Sequence, residues 1–336
     1  MRLSIIIITR NEALRLRLCL ASVQEALAHV GTSEAEVIVV DDGSLDETSK
    51  VLQDLREAIP LKVVRHSHSL GRSRSRNAGA REARGEMLLF LDGDTLVSPR
   101  SLERHMAANG DGRIIARGEV YHLRHSRFLR DPERGELFPQ YPARAVEEHE
   151  YIREVDVRER FAELHSKAVL GIYPGSVPRR LAELELAVLR DSSLEHSLWM
   201  TVSAHNFSIA RESFLSVGGF CEDLEMNEHR DLALTLFERA NIPVRLVEGA
   251  ESYHLCHSTT WRDPLQIVSQ WEPVFKERHS SAEARLLPFF WMSLQEPPPL
   301  PAELAIRSIP ELISRAGGDI SPFDAFRQRS PLFGGG

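Results

Sequence analysis

Leu88-Leu89-Phe90-Leu91-Asp92-Gly93-Asp94-Thr95 decides how this chain is read. An apolar run passes straight into Asp-x-Asp, the pattern of a buried strand that delivers two carboxylates to its carboxyl end. Side chains at i and i+2 of a strand point to one side, so Asp92 and Asp94 can face one divalent cation. Hard oxygen donors suit Mg2+ or Mn2+. Gly93 between them lets a ligand approach the backbone. Taken alone, the segment is equally an ordinary strand-to-turn junction, where Asp and Gly are common. The flanking sequence decides between the two.

Upstream, strand-like and helix-like segments alternate. Leu3 to Ile8 is a continuous β-branched run, as in a parallel strand buried on both faces. Glu12 to Leu27 carries Leu14, Leu18, Val23 and Leu27 at helical spacing. Val37 to Val40 is a second strand and ends in Asp41-Asp42-Gly43-Ser44. Asp46 to Ile59 reads as a helix capped by Ser44 or Asp46. Leu61 to Val64 is a third strand, Arg74 to Arg84 a helix, and Met87 to Leu91 the fourth strand. Such alternation implies βαβ units and a mostly parallel, Rossmann-like sheet flanked by helices. Ligands of these sheets bind beyond the carboxyl ends of the strands. Thr9-Arg10-Asn11, Asp41 to Ser44 and Asp92 to Asp94 all fall there.

Arg113 to Leu123 reads as a further strand. Arg124 to Glu195 is rich in Arg and Glu, with helices expected around Ala145–Leu164 and Arg179–Leu189. Order returns with a strand at Thr201-Val202-Ser203, then Asn206 to Ile209, a short helix and the Gly218-Gly219 turn. A helix over Asp231 to Ala240, a strand over Pro243 to Val247 and Ser252-Tyr253-His254 follow. After Trp261 the chain is Pro-rich, and its last few residues are expected to be disordered.

The 336 residues suffice for a large α/β domain with its own core. Apolar and charged contents of 42% and 27% are those of a globular protein. A net charge of -8 argues against general affinity for nucleic acid or anionic membranes. The basic stretch Arg65–Arg84 lacks interleaved aromatic residues, which also disfavours nucleic acid. Three dispersed cysteines, Cys19, Cys221 and Cys256, suggest a reducing compartment rather than a disulfide framework. The N-terminal apolar run is short for a signal peptide, and no stretch has the length of a membrane span. A cytoplasmic location is expected, with peripheral membrane contact left open.

In register, these clusters resemble the inverting family 2 glycosyltransferases of the GT-A fold. The resemblance rests on Ile7-Ile8-Thr9-Arg10-Asn11-Glu12, Asp41 to Ser44 with Asp46 and Thr48, Gly71 to Gly79 with Arg76-Asn77 inside it, and Asp92-Gly93-Asp94. It returns at Ala204-His205-Asn206-Phe207 and Val217-Gly218-Gly219-Phe220. Residues 125–197 and 262–336 lie outside it. It implies four parts: a nucleotide-sugar-binding half over 1–123, a helical acceptor-side insertion over 124–199, an acceptor and catalytic half over 200–262, and a C-terminal extension over 263–336.

The resemblance also implies chemistry. A nucleotide-sugar donor, UDP-linked, would give its sugar to an acceptor hydroxyl on a glycan, a lipid-linked molecule or a small molecule. Asp94, with Asp92 on ribose or metal, would hold the cation that stabilises the leaving diphosphate. His254 would complete the metal shell, with His257 as its rival. Asp42 would accept a hydrogen bond from uracil. Thr9, Asn11, Glu12 and Gly93 would line the donor pocket, and Arg76 would contact the base or diphosphate, whereas Arg72 and Arg74 read as a solvated helix start. The family places Glu-Asp after Gly-Gly-Phe, with the Asp as base. Here Glu228 matches the Glu, His229 stands at the Asp, and Asp231 lies further along the helix. His229, Glu228 and Asp231 are the candidate bases, since an imidazole can also take a proton near neutrality. Two other readings stay open. One is a non-catalytic sugar-nucleotide-binding or scaffold protein, motivated by His229. The other is a nucleotidyltransferase, disfavoured because no Gly-rich phosphate loop follows the first strand.

Overall fold

The computed structural model describes residues 2–31, 34–109, 113–142, 146–170, 191–257, 264–293, 295 and 297–333. The first four strands are β1 (Leu3–Thr9), β2 (Ala35–Asp41), β3 (Leu61–Arg65) and β4 (Met87–Asp92), separated by helices α1 (Ala13–Val30), α2 (Thr48–Asp54) and α3 (Arg72–Glu82). They pair in parallel in the order β3-β2-β1-β4. Alternation sorts their side chains to opposite faces. Ile5, Ile7, Val37, Val39, Leu89 and Leu91 pack with Leu16, Cys19, Leu20 and Val23 of α1. Ile6, Ile8, Ile38, Val40, Leu88 and Phe90 join the larger core on the other face. Burial on both sides explains why these strands read as unbroken apolar runs.

Beyond β4 the sheet changes character. It continues through β10 (Phe207–Ala210), β6 (Ile115–Leu123), β11 (Val244–Leu255) and β5 (Thr95–Val97). β10 runs antiparallel to both β4 and β6. β6 and β11 are parallel, with a register shift between Val247 and Glu251. Helix α4 (Ser101–Ala108) sends His105 from behind the sheet to Ser208 and Asn206, at 3.0 and 2.9 Å.

Residues 124–142 and 146–170 form 3-10 turns, a hairpin of β7 (Leu129–Asp131) and β8 (Glu136–Leu137), helices α5 (Glu154–Arg158) and α6 (Phe161–Ser166), and β9 (Val169–Leu170) on β6. Arg15 donates to the Leu129 carbonyl at 2.7 Å, and Arg158 binds Glu25 at 2.6 Å, so α1 anchors this segment. The expected helix around Ala145–Leu164 is thus two short helices in its described part. The helix expected at Arg179–Leu189, Trp261 and the tail from 334 lie outside the described residues.

Three expectations change. Thr201 ends a 3-10 run (Ser192–Thr201), so Thr201-Val202-Ser203 is not a strand. Helix α8 (Glu228–Ala240) starts before Asp231. The Pro-rich C-terminal stretch is helical: α9 (Pro264–Arg278), α10 (Ala282–Met292), α11 (Ile309–Ala316) and α12 (Ser321–Arg329) follow α7 (Arg211–Ser216) and α8. Ser281 and Ser308 cap α10 and α11 by accepting from Ala284 N–H and Glu311 N–H. Phe289, Phe323 and Phe333 extend the core that contains Phe90. No helix among the described residues is long and apolar enough to cross a membrane.

Candidate functional site

Parallel register brings Ile8 level with Asp92 and Thr9 level with Asp41, so three strand ends share one edge of the sheet. The loops there are tied together. Asn11, at φ 55°, accepts from Leu45 N–H at 2.7 Å while its own N–H donates to Ser44 Oγ at 2.9 Å. Asp46 accepts from Ala13 N–H at 3.0 Å.

Asp42 is more fully engaged than expected. Oδ1 accepts from Leu70 N–H at 2.8 Å and lies 2.8 Å from His66 Nδ1. Oδ2 accepts from Ser69 Oγ and Gly71 N–H at 2.6 and 3.1 Å. A carboxylate offers about four acceptor sites, and four contacts occupy it. Asp42 therefore holds the 66–71 loop in place. Against the burial that would raise it, His66, Leu70 N–H, Ser69 and Gly71 N–H hold its pKa below the usual value.

Asp92 and Asp94 part company. The strand ends at Asp92, and the turn directs the two acids to different partners. Asp92 Oδ1 meets Arg76 Nη2 at 2.7 Å, whereas Asp94 Oδ2 lies 3.3 Å from His254 Nε2 and 3.2 Å from His257 Nε2. The ligand atoms of Asp94, His254 and His257 all fall within 4.8 Å of one another. Asp92 is not in this cluster, which joins the expected Asp94 and His254 to His257 and leaves Asp92 on Arg76. The reason is register: β5 pairs antiparallel with β11, setting Thr95 opposite His254. Burial notwithstanding, the two histidines hold Asp94 well below the usual carboxylate range, and Asp94 raises His254 well above the usual imidazole value.

Behind this turn, Gly93 is required for a reason other than ligand access. A Cβ there would lie 2.7 Å from Glu12 Oε1 and 2.9 Å from Thr9 Oγ1. Glu12 is raised well above the usual value by burial and by the nearby Asp94 and Asp92 carboxylates. Thr9 is itself buried. Both pack against the acidic turn, Thr9 buried and Glu12 half-buried.

Arg76 is likewise internal. Its side chain is 1% exposed and spans from Asp92 to Glu228, with Nη1 2.7 Å from Glu228 Oε1. Neighbouring Asn77 accepts from Phe220 N–H and donates to the Phe220 carbonyl, both at 2.9 Å. Gly219, at φ +76°, must lack a side chain because a Cβ would sit 2.6 Å from Asn77 Oδ1. The Arg76-Asn77 pair thus clasps the first half of the sheet to the segment before α8. Phe90, stacked on Phe207 at 5.0 Å and set edge-on to Phe220 at 5.2 Å, packs beneath.

At the start of α8 the three candidate bases separate. Glu228 is buried, and against that burial His229 and Arg76 hold it strongly ionised. His229 Nδ1 is 3.6 Å from Glu228 Oε1, and Nε2 accepts from Arg230 Nη1 at 2.7 Å. Its side chain is 16% exposed, and burial followed by Arg230 lowers its pKa. Asp231 is 0% exposed and bonds to Arg278 Nε at 2.5 Å and His279 Nε2 at 2.8 Å. One turn of helix directs it toward α9, so its expected role as base is replaced by a clasp to the C-terminal helices.

Sequence reasoning passed over His122, Cys256 and Arg230, and kept His257 only as a rival. His254-Leu255-Cys256-His257, three metal-binding side chains in four residues, was the available signal.

Residues 4–153 match the family model described as glycosyl transferase family 2. Validoxylamine A glucosyltransferase of Streptomyces hygroscopicus subsp. jinggangensis is 29% identical over 227 residues, 66% of this chain and 47% of that protein. S. aureus TarS 1-349 in complex with UDP-GlcNAc superposes with a TM-score of 0.55 at 16% identity, covering 99% of this chain and 78% of that one. Mannosyltransferase PcManGT from Pyrobaculum calidifontis, in complex with GDP-Man and Mn2+, gives 0.53 at 17%, covering 97% and 78%. The chain spans less than half the length of the relatives matched by sequence. Residues 4–153 are thus similar to glycosyl transferase family 2, and the sheet order and structural likeness show the GT-A fold.

Proposed function

We propose that this chain is a metal-dependent, inverting glycosyltransferase that moves a sugar from a UDP-linked donor to an acceptor hydroxyl. The observation that carries this reading is the convergence of Asp94 Oδ2 with His254 Nε2 and His257 Nε2 at 3.3 and 3.2 Å, at the strand-end edge of the sheet. One carboxylate oxygen and two imidazole nitrogens suit Mn2+ or Mg2+, and such an ion would neutralise charge on the departing diphosphate. The neighbour crystallised with GDP-Man and Mn2+ supports a cation, and the one with UDP-GlcNAc supports a uridine donor.

The chain's own residues would do the rest. Arg76 holds Asp92 Oδ1, leaving Oδ2 for the donor ribose. Asn11 and Asp42 fix the loops around the nucleotide. Glu228 faces Nδ1 of His229 and favours the tautomer with its proton there, which leaves Nε2 as the proton acceptor. An acceptor hydroxyl would take the place of Arg230 Nη1, which retains Asn227 Oδ1 and the Met200 carbonyl as partners at 2.9 and 2.8 Å. Residues 124–199 and 263–336 would frame the acceptor.

Thermal shift with UDP, GDP and ADP, with and without Mn2+, tests the donor half, because ligands that bind the folded state raise apparent stability. UDP should stabilise only with the cation, and Asp94→Asn should abolish the effect. Equal shifts for all three nucleotides, or a response retained in Asp94→Asn, would overturn the donor or the metal assignment respectively. Cation-dependent binding with no hydrolysis or transfer of any donor would favour the non-catalytic reading.

A further inference from the structure

Directly behind the Asp94 cluster lies a second group of a different chemical character. His122 ends β6 and His254 and Cys256 end β11, strands paired in parallel with His122 level with His254. His122 Nδ1 is 3.3 Å from His254 Nδ1. Cys256 Sγ is 3.6 Å from His254 Nδ1 and 3.8 Å from His122 Nδ1. His122 is 3% exposed and Cys256 is fully buried.

These separations can be compared with a tetrahedral ion. With Zn–N near 2.0–2.1 Å and Zn–S near 2.3 Å, the N···N edge is about 3.3 Å and each N···S edge about 3.6 Å. All three edges agree to within about 0.2 Å. Three protein ligands leave a fourth corner for water or a ligand. His205, whose Nδ1 is buried without a hydrogen bond among the described residues, sits with its ring 5.6 Å from that of His254.

We infer that His122 Nδ1, His254 Nδ1 and Cys256 Sγ form a second metal site, selective for Zn2+ over the harder Mg2+ and Mn2+. A thiolate is a poor ligand for those hard ions and a good one for Zn2+. Binding releases the Cys256 thiol proton to solvent. His254 is shared: Nδ1 faces this inner site and Nε2 faces Asp94. With Zn2+ on Nδ1, Nε2 carries the proton and donates it in a hydrogen bond to Asp94. The outer cluster then loses an imidazole ligand. If the proposed metal-dependent donor binding holds, Zn2+ in the inner site opposes it.

The test uses the full chain after treatment with chelator, with Co2+ and Zn2+ alone as probes. Co2+ should bind at one ion per chain with a near-ultraviolet thiolate charge-transfer band, and Zn2+ should displace it. Cys256→Ser should remove the band and weaken Zn2+ binding at least about 100-fold, since even an outer-shell partner costs 10–100-fold. His122→Asn should weaken Zn2+ binding while leaving a sulfur signal at high Co2+. Asp94→Asn should keep the band. Absence of the band in the parent chain overturns the site whether or not the variants fold. So does Zn2+ affinity unaltered in Cys256→Ser, or a band lost in Asp94→Asn. In each of these cases Mn2+-dependent nucleotide binding, measured separately, still decides the outer cluster. Zn2+ should also suppress that binding in the parent chain and spare it in Cys256→Ser; equal suppression in both would overturn the opposition between the sites.

Discussion

Residues 3–97 and residues 191–333 meet at one edge of one sheet, yet they are organised differently. In the first region three acids of the strand-end loops answer to backbone: Asp41 to Ser44 N–H, Asp42 to Leu70 and Gly71 N–H, Asp46 to Ala13 and Thr48 N–H. In the second, three buried acids answer to distant side chains: Glu228 to Arg76, Asp231 to Arg278 and His279, and Glu272 to Arg327. Loops closed by their own backbone are specified by a few adjacent residues. Clasps between remote side chains need the whole fold to exist first.

The comparison can be sharpened by separating chemistry from architecture at α8. His229→Ala should lower transfer by roughly 10²–10⁴-fold, the range for a positioned base, with UDP binding near the parent value. The acid limb of the rate profile should lie below the ordinary imidazole range, since burial and Arg230 lower His229, and it should vanish in the variant. If Glu228→Gln destroys transfer while His229→Ala spares it, the base is Glu228.

Arg76 tests whether the clasp matters more than the loops. Arg76→Met leaves Asp92 and Glu228 facing each other without their cation, and removing one partner of a buried pair costs about 3–5 kcal/mol. Chemical denaturation should show that loss. A smaller loss than for Asp42→Ala would break the proposed contrast.

Asp231→Ala should cost about 1.5–3 kcal/mol, the scale of hydrogen bonds to a charged group. It should also raise protease cleavage within 264–333, with UDP binding retained. Loss of UDP binding instead would mean that the two regions are not separable.

A further effect concerns acid. Burial pushes His105 down to about 4 from an ordinary 6.5. The unfolded chain therefore takes up a proton that the folded chain refuses between those values. This residue's contribution is fully present above pH 6.5 and declines by about 1.4 kcal/mol per pH unit as pH falls toward 4. His105→Gln should flatten that slope. A slope identical to the parent's would exclude His105 as its source.

The same contrast governs what could be read from the chain alone. The four strands from Leu3 to Asp92 were legible because burial on both faces leaves a continuous apolar run. The polar clusters at their ends were legible because parallel strands all deliver to one edge. The partners of those clusters were not. Nothing local indicates that Arg76 turns inward to Glu228, 152 residues away, and the meeting of Asp94 with His254 was reached only through the family resemblance. Position 231 carries the right residue type for a base, but a helix rotates about 100° per residue, so it lies about 200° round from His229 and meets Arg278 and His279 instead. The C-terminal helices were missed for another reason: Pro273 and Pro288 lie inside α9 and α10, where proline normally signals a break.

Among the described strands, β10 alone runs against both of its neighbours in the middle of the sheet. A strand laid head to tail brings its entrance, not its exit, to the edge where the others finish. His205 and Asn206 reach the working edge because they precede Phe207, while Ala210 leads away at the far edge beside Met87. The length of chain ahead of β10 therefore sets the reach of these two residues, as an exit loop does elsewhere in the sheet. Lengthening the chain before Phe207 shifts a gatepost, whereas lengthening it after Ala210 only pays out slack on the opposite rim.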